Sequence, residues 1–424
     1  MLPQAESAPN AGNRVTRVNL TKHQPADTLC LTDNMNERRT AMNERTADVL
    51  IVGAGVMGCA AAYQLAKDGA RVLLFDQFAV GHARGSSHGP SRIIRLAYDS
   101  LDYVVLARAS YALWRELEAE AGARLLTPTG GLDMGAPDAL ALDEIRATYL
   151  AAGVPFAALD RDAIMARFPQ FQLPEGTIGL YQADYGLLAA DRCVATLAAE
   201  ARRHGAIIRE NEPAHTIRAT SGGVELRTDQ GVYSADRLIL SAGSWMRPLL
   251  RQLDLDLPLT VQKEQVAFFR ARDPEAFMPG RLPLVIHRFP NTTSLGSVFP
   301  IYDHAGVKVM IDRTGPQVAP DDPDRSIEMP LLEQLRAYAA DLLPGLTGEV
   351  IEAVSCRYTM TPDEHFIIDR HPAHPQIVIA SPCSGHGFKF GAVLGRVLAD
   401  LALHGTTAYD IARFRLDRPA LTAG

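Results

Sequence analysis

Cysteine and tryptophan are scarce in this chain: 424 residues include five of the first and two of the second. The cysteines, at 30, 59, 193, 356 and 383, are odd in number and scattered, with no CxxC and no Cys/His spacing of a zinc site. A disulfide framework is therefore excluded, no metal is expected, and free thiols in a reducing, cytoplasmic setting are the expectation. No apolar run approaches the roughly 18 residues of a membrane span, and the N-terminus has no apolar signal core. Neither sign of charge dominates, since 42 Lys and Arg stand against 49 Asp and Glu, for a net charge of −7 with no basic stripe. Nucleic acid and anionic membrane surfaces are thus not expected partners. What remains is an ordinary globular composition, 47% hydrophobic and 21% charged, at a length that fills two cores.

Residues 1–45 are polar and show neither helical nor strand period, so they read as a disordered extension. Met35-Asn-Glu-Arg recurs there as Met42-Asn-Glu-Arg, just ahead of the first strand. A natural start at Met42 is the resulting expectation, which N-terminal sequencing checks.

The chain is organised around ADVLIVGAGVMG, residues 47–58. Val49 to Val52 read as a strand buried on both faces, and a helical pattern follows Gly58 directly. Gly53 permits a tight turn, Gly55 lets backbone N–H groups approach a pyrophosphate, and Gly58 lets the helix pack close to the strand. ARVLLFD, residues 70–76, is a second buried strand ending in Asp76, at the spacing of a carboxylate that accepts ribose hydroxyls. An acid there favours FAD or NAD over NADP.

Farther along, GSSHGPSRIIRLAY (85–98) surrounds Ser86, His88, Arg92 and Arg95 with small residues, so that backbone lies close to a ligand while long cations reach over it. Helices are expected at about 103–121, 139–152, 191–204, with Asp191 as cap, and 329–342. Residues 234–245 repeat the pattern of buried strand and glycine, and period-two runs at 265–270 and 307–312 indicate an antiparallel sheet. SGHGFKFG (384–391) is a glycine-rich turn that opens a long apolar helix, an anion site by its dipole. The fold class expected is α/β, α+β in part. A discontinuous Rossmann-like cofactor domain takes 46–130, 190–257 and 351–424, and an antiparallel-sheet substrate domain takes 131–189 and 258–350.

From Ala47 to Leu421 the chain resembles the monomeric sarcosine oxidase and N-methyltryptophan oxidase family of FAD-dependent amine oxidases, within the D-amino-acid oxidase-like superfamily. GSSHGPSRIIRLAY, CRYTMTPDEHFIID (356–369) and SGHGFKFGAVLG carry the resemblance, in family order. It implies FAD, held by Gly53, Gly55, Gly58, Asp76, Ser86, His88, Gly385, Gly387, Phe388 and Lys389, with a thioether to Cys356. It implies a substrate carboxylate held by Arg95 and Lys389, an Arg92 close to the flavin, a Lys308 that activates dioxygen, and a Tyr358 beside the active site. The partners implied are a small amine and dioxygen, acted on by a monomer that forms an imine and hydrogen peroxide.

Three departures fall near the pocket. Ser87-His88 stands where sarcosine oxidases have two histidines, and Pro90-Ser91 follows in place of Asp-Thr. Asp312 takes the place of an active-site histidine four residues after the lysine, and Ser297 that of a tyrosine. An acid at 312 implies a substrate with added positive charge or donors, or with a bulkier N-substituent. Two other functions share this fold: a dehydrogenase that passes electrons to a quinone or protein acceptor, and a flavin-binding protein without catalysis. Lys308 argues against the first, and the retained Arg95, Lys389 and Cys356 against the second. Taken without the motifs around them, Cys356 reads as a buried thiol, Lys308 as a solvated charge, and Arg92 and Arg95 as surface ion-pair partners.

Overall fold

The first strand, Thr46–Val52, is central in the computed structural model, which describes residues 45–139 and 141–422. Apart from Arg45, the expected extension and the repeated MNER lie outside these residues. Val49 and Ile51 face one hydrophobic core while Leu50 and Val52 face another, which is why the run is continuously apolar. Its neighbours Val72–Phe75 and Gly231–Leu240 both run parallel to it, with Val52 level with Phe75 and Leu240. Ile207–Arg209 and Ile377–Ser381 extend the parallel part, and Thr216–Thr220 and Gly223–Thr228 continue it antiparallel; with Ile367–Arg370 the sheet has eight strands. The segment 234–245 therefore rejoins the first sheet as its pattern indicates.

Helices Val56–Lys67, Ala190–Arg203 and Gly391–His404 cover one face of this sheet. Small residues set their approach: a Cβ at Gly395 would sit 2.6 Å from the Cβ of Ala60. Asp191 is not the cap of its helix. Ala189 holds that position, and the Asp191 carboxylate accepts the N–H of Gly89 at 2.7 Å, pinning the loop that follows the second strand.

A second eight-stranded sheet runs in the order Leu346–Met360, Thr260–Ala271, Val307–Ile311, Leu295–Phe299, Leu284–Arg288, Gly131–Gly135, Ile178–Gln182, Ala157–Asp160. All its pairings are antiparallel except that of Leu284–Arg288 with Gly131–Gly135. One face, with Ala267, Phe269, Val298, Val307 and Val309, packs on helix Met329–Leu342. The other face carries the alternate residues, among them Phe268, Ser297, Lys308, Met310 and Cys356, and lines a cavity. Position 350, the expected domain limit, falls inside strand Leu346–Met360, and the chain from Arg45 onward is one compact unit. Arg92–Ile94, Gly186–Leu188 and Leu126–Pro128 form a third, small antiparallel sheet. Among the described residues no helix is long and apolar enough to cross a membrane.

Candidate active site

A cavity of about 800 Å³ runs from the turn at Gly53 to the inner face of the second sheet. Every residue that the resemblance assigns to cofactor or substrate lines it except Gly58. At the near end Gly53 has φ +103°, and a Cβ there would lie 2.5 Å from the carbonyl oxygen of Ser241. Gly58 serves packing alone, since a Cβ would meet the Gly53 carbonyl oxygen at 1.8 Å. Gly55 faces the cavity, and the next amide, Val56 N–H, donates to Ser87 Oγ at 3.1 Å. Asp76 accepts the N–H groups of Ala54 at 2.7 Å and Phe78 at 2.9 Å, so its carboxylate holds the glycine turn in shape. Burial pushes its pKa up, against the pull of those two amides.

The loop after the second strand is folded by Arg92. Its guanidinium donates to the carbonyl oxygens of Ser86 at 3.0 Å, His88 at 2.7 Å and Ser91 at 2.9 Å, and lies 5.8 Å from the Phe388 ring. The Ser86 hydroxyl donates to the Arg357 carbonyl, which ties this loop to strand Leu346–Met360. His88 is pushed down to about 4 by burial and by Arg92, so the imidazole is neutral at pH 7; its Nε2 is buried with no hydrogen-bond partner.

Lys308 stands on the sheet wall with its ammonium donating to the Ser91 carbonyl at 3.0 Å, 4.2 Å from the Phe299 ring centroid. Burial, then Arg92, holds it well below the usual lysine range. Cys356 is a buried free thiol two strands away, beyond Thr260–Ala271, and burial raises its pKa; the Tyr358 hydroxyl contacts Met310 Sδ at 3.6 Å.

At the far end Lys389 donates to the Tyr98 hydroxyl at 2.9 Å and to the His386 carbonyl at 2.7 Å, and Arg95 lies over the Tyr98 ring at 4.7 Å, donating to the Ala97 carbonyl. Both cations are buried, and burial and then Arg95 depress Lys389 strongly. Gly385 has φ +80°, and a Cβ there would lie 2.5 Å from the Tyr358 ring. A Cβ at Gly387 would be 1.6 Å from the Pro382 carbonyl oxygen, so this turn closes only with glycine. Phe388 lies parallel to Trp114 at 6.5 Å and presents its other side to the cavity.

Asp312 and Ser297 both reach the cavity wall. The Asp312 carboxylate, however, accepts the Leu295 N–H at 2.6 Å and pairs with Arg313 at 3.3 Å, so its charge is already engaged. Burial raises its pKa, with Arg313 opposing. Sequence reading did not mark Tyr98, Asp133, Glu264 or Arg288. A charged residue inside an apolar strand run, as in LVIHR and TVQKEQV, was the available signal.

Residues 48–401 match the DAO family, described as FAD dependent oxidoreductase. Over 380 residues the chain is 38% identical to the monomeric sarcosine oxidase of Bacillus sp. (strain B-0618), covering 88% of this chain and 96% of that protein. It is 32% identical to the N-methyl-L-tryptophan oxidase of Salmonella arizonae, covering 88% and 98%. Among solved structures, NikD, an unusual amino acid oxidase essential for nikkomycin biosynthesis, superposes with a TM-score of 0.79 at 26% identity, covering 88% of this chain and 97% of that one.

This chain is an FAD-dependent oxidoreductase of the DAO family. Its mixed α/β fold is the one expected, and the cavity fits the cofactor. The oxidoreductase offers a glycine turn that no side chain fills, a helix starting at Val56 with its positive end toward that turn, and a buried unpartnered nitrogen on His88. At the same time it places a free thiol and three buried cations, Lys308, Lys389 and Arg95, around the cavity's inner end.

Proposed function

We propose that this enzyme oxidises a secondary or N-methyl amino acid to an imine that hydrolyses in water, while dioxygen becomes hydrogen peroxide. The observation that carries this reading is the pairing of Arg95 and Lys389, two buried cations with no carboxylate within ion-pair distance among the described residues. A buried cation without a partner is costly, and a substrate carboxylate relieves that cost at both groups at once. The similarity to sarcosine and N-methyltryptophan oxidases points to the same class of substrate.

FAD, held by the residues above, would supply a hydride acceptor whose reduced form can be reoxidised by dioxygen. The residues do the rest. Arg95 and Lys389 fix the carboxylate and so aim the adjacent C–H bond. The apolar walls keep the site dry. Lys308 is the cation placed to favour negative charge developing on oxygen, because its low-dielectric surroundings strengthen that attraction. Arg92 shapes the loop over the cofactor, Tyr358 closes the wall beside Gly385, and Asp312 and Ser297 bound the amine side. Asp76 and the Gly53–Gly58 turn hold the adenosine half. The first sheet with its helices forms the cofactor domain and the second sheet the substrate domain.

Attachment of the flavin through Cys356 is part of the proposal, supported by a thiol that faces the cavity without a partner of its own kind. Yellow colour that stays with acid-precipitated protein, and leaves it in Cys356→Ser, is the expected result. A cytoplasmic setting fits the unpaired thiols at 59, 193, 356 and 383, and a monomer fits the similarity to the monomeric sarcosine oxidase. The deciding experiment is an anaerobic titration with sarcosine, N-methyltryptophan, pipecolate and proline that follows loss of the flavin band. Bleaching by at least one, with a full equivalent of peroxide on admitting air, is expected. A flavin that none of them bleaches overturns the assignment, and turnover without peroxide replaces the oxidase by a dehydrogenase.

A further inference from the structure

Arg288 ends the strand that runs parallel to Gly131–Gly135, in which Asp133 lies level with Ile286. Asp133 is fully buried, and the Arg288 Nη2 donates to it at 3.2 Å while the Tyr185 hydroxyl donates to its other oxygen. The Arg288 side chain is 11% exposed, lines the cavity, and keeps a buried Nε with no partner. Asp133 takes one of its five N–H groups, and the fork of the guanidinium stays open.

The charges around it do not balance. Arg95 is close enough to act on both Asp133 and Arg288, and Lys389 lies within reach of Arg95. Arg288 and Arg95 thus both act on one buried carboxylate, which only Arg288 contacts, and a third buried cation, Lys389, adds its charge beside Arg95. Asp312 also acts on Arg95, but its carboxylate is held by Leu295 N–H and Arg313, and Glu364 pairs with that same Arg313 at 2.8 Å. Asp99 also acts on Arg288, but from the exposed rim. A substrate with a single carboxylate satisfies Arg95 and Lys389 and leaves the Arg288 fork unused.

We propose that Arg288 is a specificity-determining residue that receives a second acidic group of the substrate. The class this selects is secondary amines with two acidic groups, such as N-methyl derivatives of acidic amino acids. The inference rests on the amine-oxidase reading and goes past it in naming the substrate class. It also moves the source of selectivity from Asp312, whose charge is engaged, to the opposite charge two strands away.

Non-oxidisable sulfide analogues test it by binding alone, read as perturbation of the flavin band in the holoenzyme. (Methylthio)acetate and 2-(methylthio)butanoate carry one carboxylate; 2-(methylthio)succinate and thiodiglycolate carry two. At least one dicarboxylate is expected to bind about tenfold tighter than its monocarboxylate counterpart, the worth of one charge-assisted hydrogen-bonded contact. That ratio is expected to collapse toward one in the Arg288→Gln/Asp133→Asn double variant, which removes the buried pair together. Should the double variant fail to fold, Arg288→Lys, which keeps the charge and loses the fork, reads the same ratio. Equal binding of both kinds by the natural enzyme, or a ratio that survives these changes, overturns the role of Arg288 and leaves the amine-oxidase reading standing. If no sulfide perturbs the flavin, the carboxylate clamp fails and takes this inference with it.

Discussion

The two ends of the cavity are built by different means. At the near end the shape is made of backbone: Gly53 and Gly58 leave room that any Cβ would fill, and Asp76 spends its carboxylate on two amides of the same region. At the inner end the work is done by side-chain charge, with Lys308, Lys389 and Arg95 drawn from three separate segments into a buried space. A cradle of backbone recognises a constant ligand and tolerates little change. A cluster of buried charges is tuned by single residues, and it is held against a desolvation cost that the ligand offsets.

The sharpest way to test that contrast is to remove one charge and look for a defect confined to one half of the reaction. Lys308→Met is expected to slow reaction of the substrate-reduced enzyme with dioxygen by about 10²–10³-fold, the scale of losing one preorganised electrostatic contact to a developing anion. Anaerobic bleaching by substrate should change little by comparison. Stopped-flow measurement of both half-reactions decides it, and an unchanged oxygen reaction removes Lys308 from that role.

At the clamp the defect should move to the other half. Arg95→Met is expected to lower kcat/KM about a hundredfold, as truncating one member of a buried hydrogen-bonded charge set does. The oxygen reaction should be spared. A pH series adds a second reading: because Lys389 is held below the usual lysine range, carboxylate binding should weaken as pH rises through that depressed value, and Lys389→Met should flatten the profile.

How much of this was legible in the chain follows from the same contrast. The Gly53–Gly58 turn, Asp76, and the helix Met329–Leu342 were readable because each depends on neighbours a few residues away. The lining face of the second sheet was half readable. Alternation marks Lys308 and Met310 as facing one way, but which way depends on pairings with Phe268 and Val266 some forty residues earlier. Roles for Lys308, Cys356 and Lys389 came through family resemblance rather than local pattern. The Arg288–Asp133 pair was invisible, since it joins positions 155 residues apart through a parallel pairing no local signal announces. Asp191 misled because an acid at a helix start reads as a cap, whereas here a tertiary contact to Gly89 claims it.

Stability offers a further break between the two ends. Gly58→Val forces a Cβ against the Gly53 carbonyl oxygen, where nothing flexible can yield. Overpacking of this kind costs about 1–3 kcal/mol or more, so a lower melting temperature together with reduced flavin content is expected. Near-natural values for both would show that the turn has slack and that the near end is less rigid than its glycines indicate.

The smallest effect should run the other way, toward a more stable protein. Glu264 lies on the same sheet face as Cys356, directly across the strand pair, fully buried, with neither carboxylate oxygen in a well-formed hydrogen bond. Burial, then the Asp312 charge, pushes its pKa up to about 7, against the pull of the backbone amides of Gly315, Thr314 and Arg313. The folded protein therefore binds this proton more tightly than the unfolded chain does. Stability from this group is present below the ordinary glutamate range and is lost as pH rises toward 7. Glu264→Gln removes the ionisation and nearly keeps the shape. It is expected to match the natural protein near pH 4 and to exceed its stability at pH 8 by about 1–2 kcal/mol. Thermal or urea unfolding at the two pH values measures this directly. A Gln variant that is weaker at pH 8 would mean that the amides of 313–315 fully satisfy the carboxylate, and that even the charge-built end borrows its anion site from backbone.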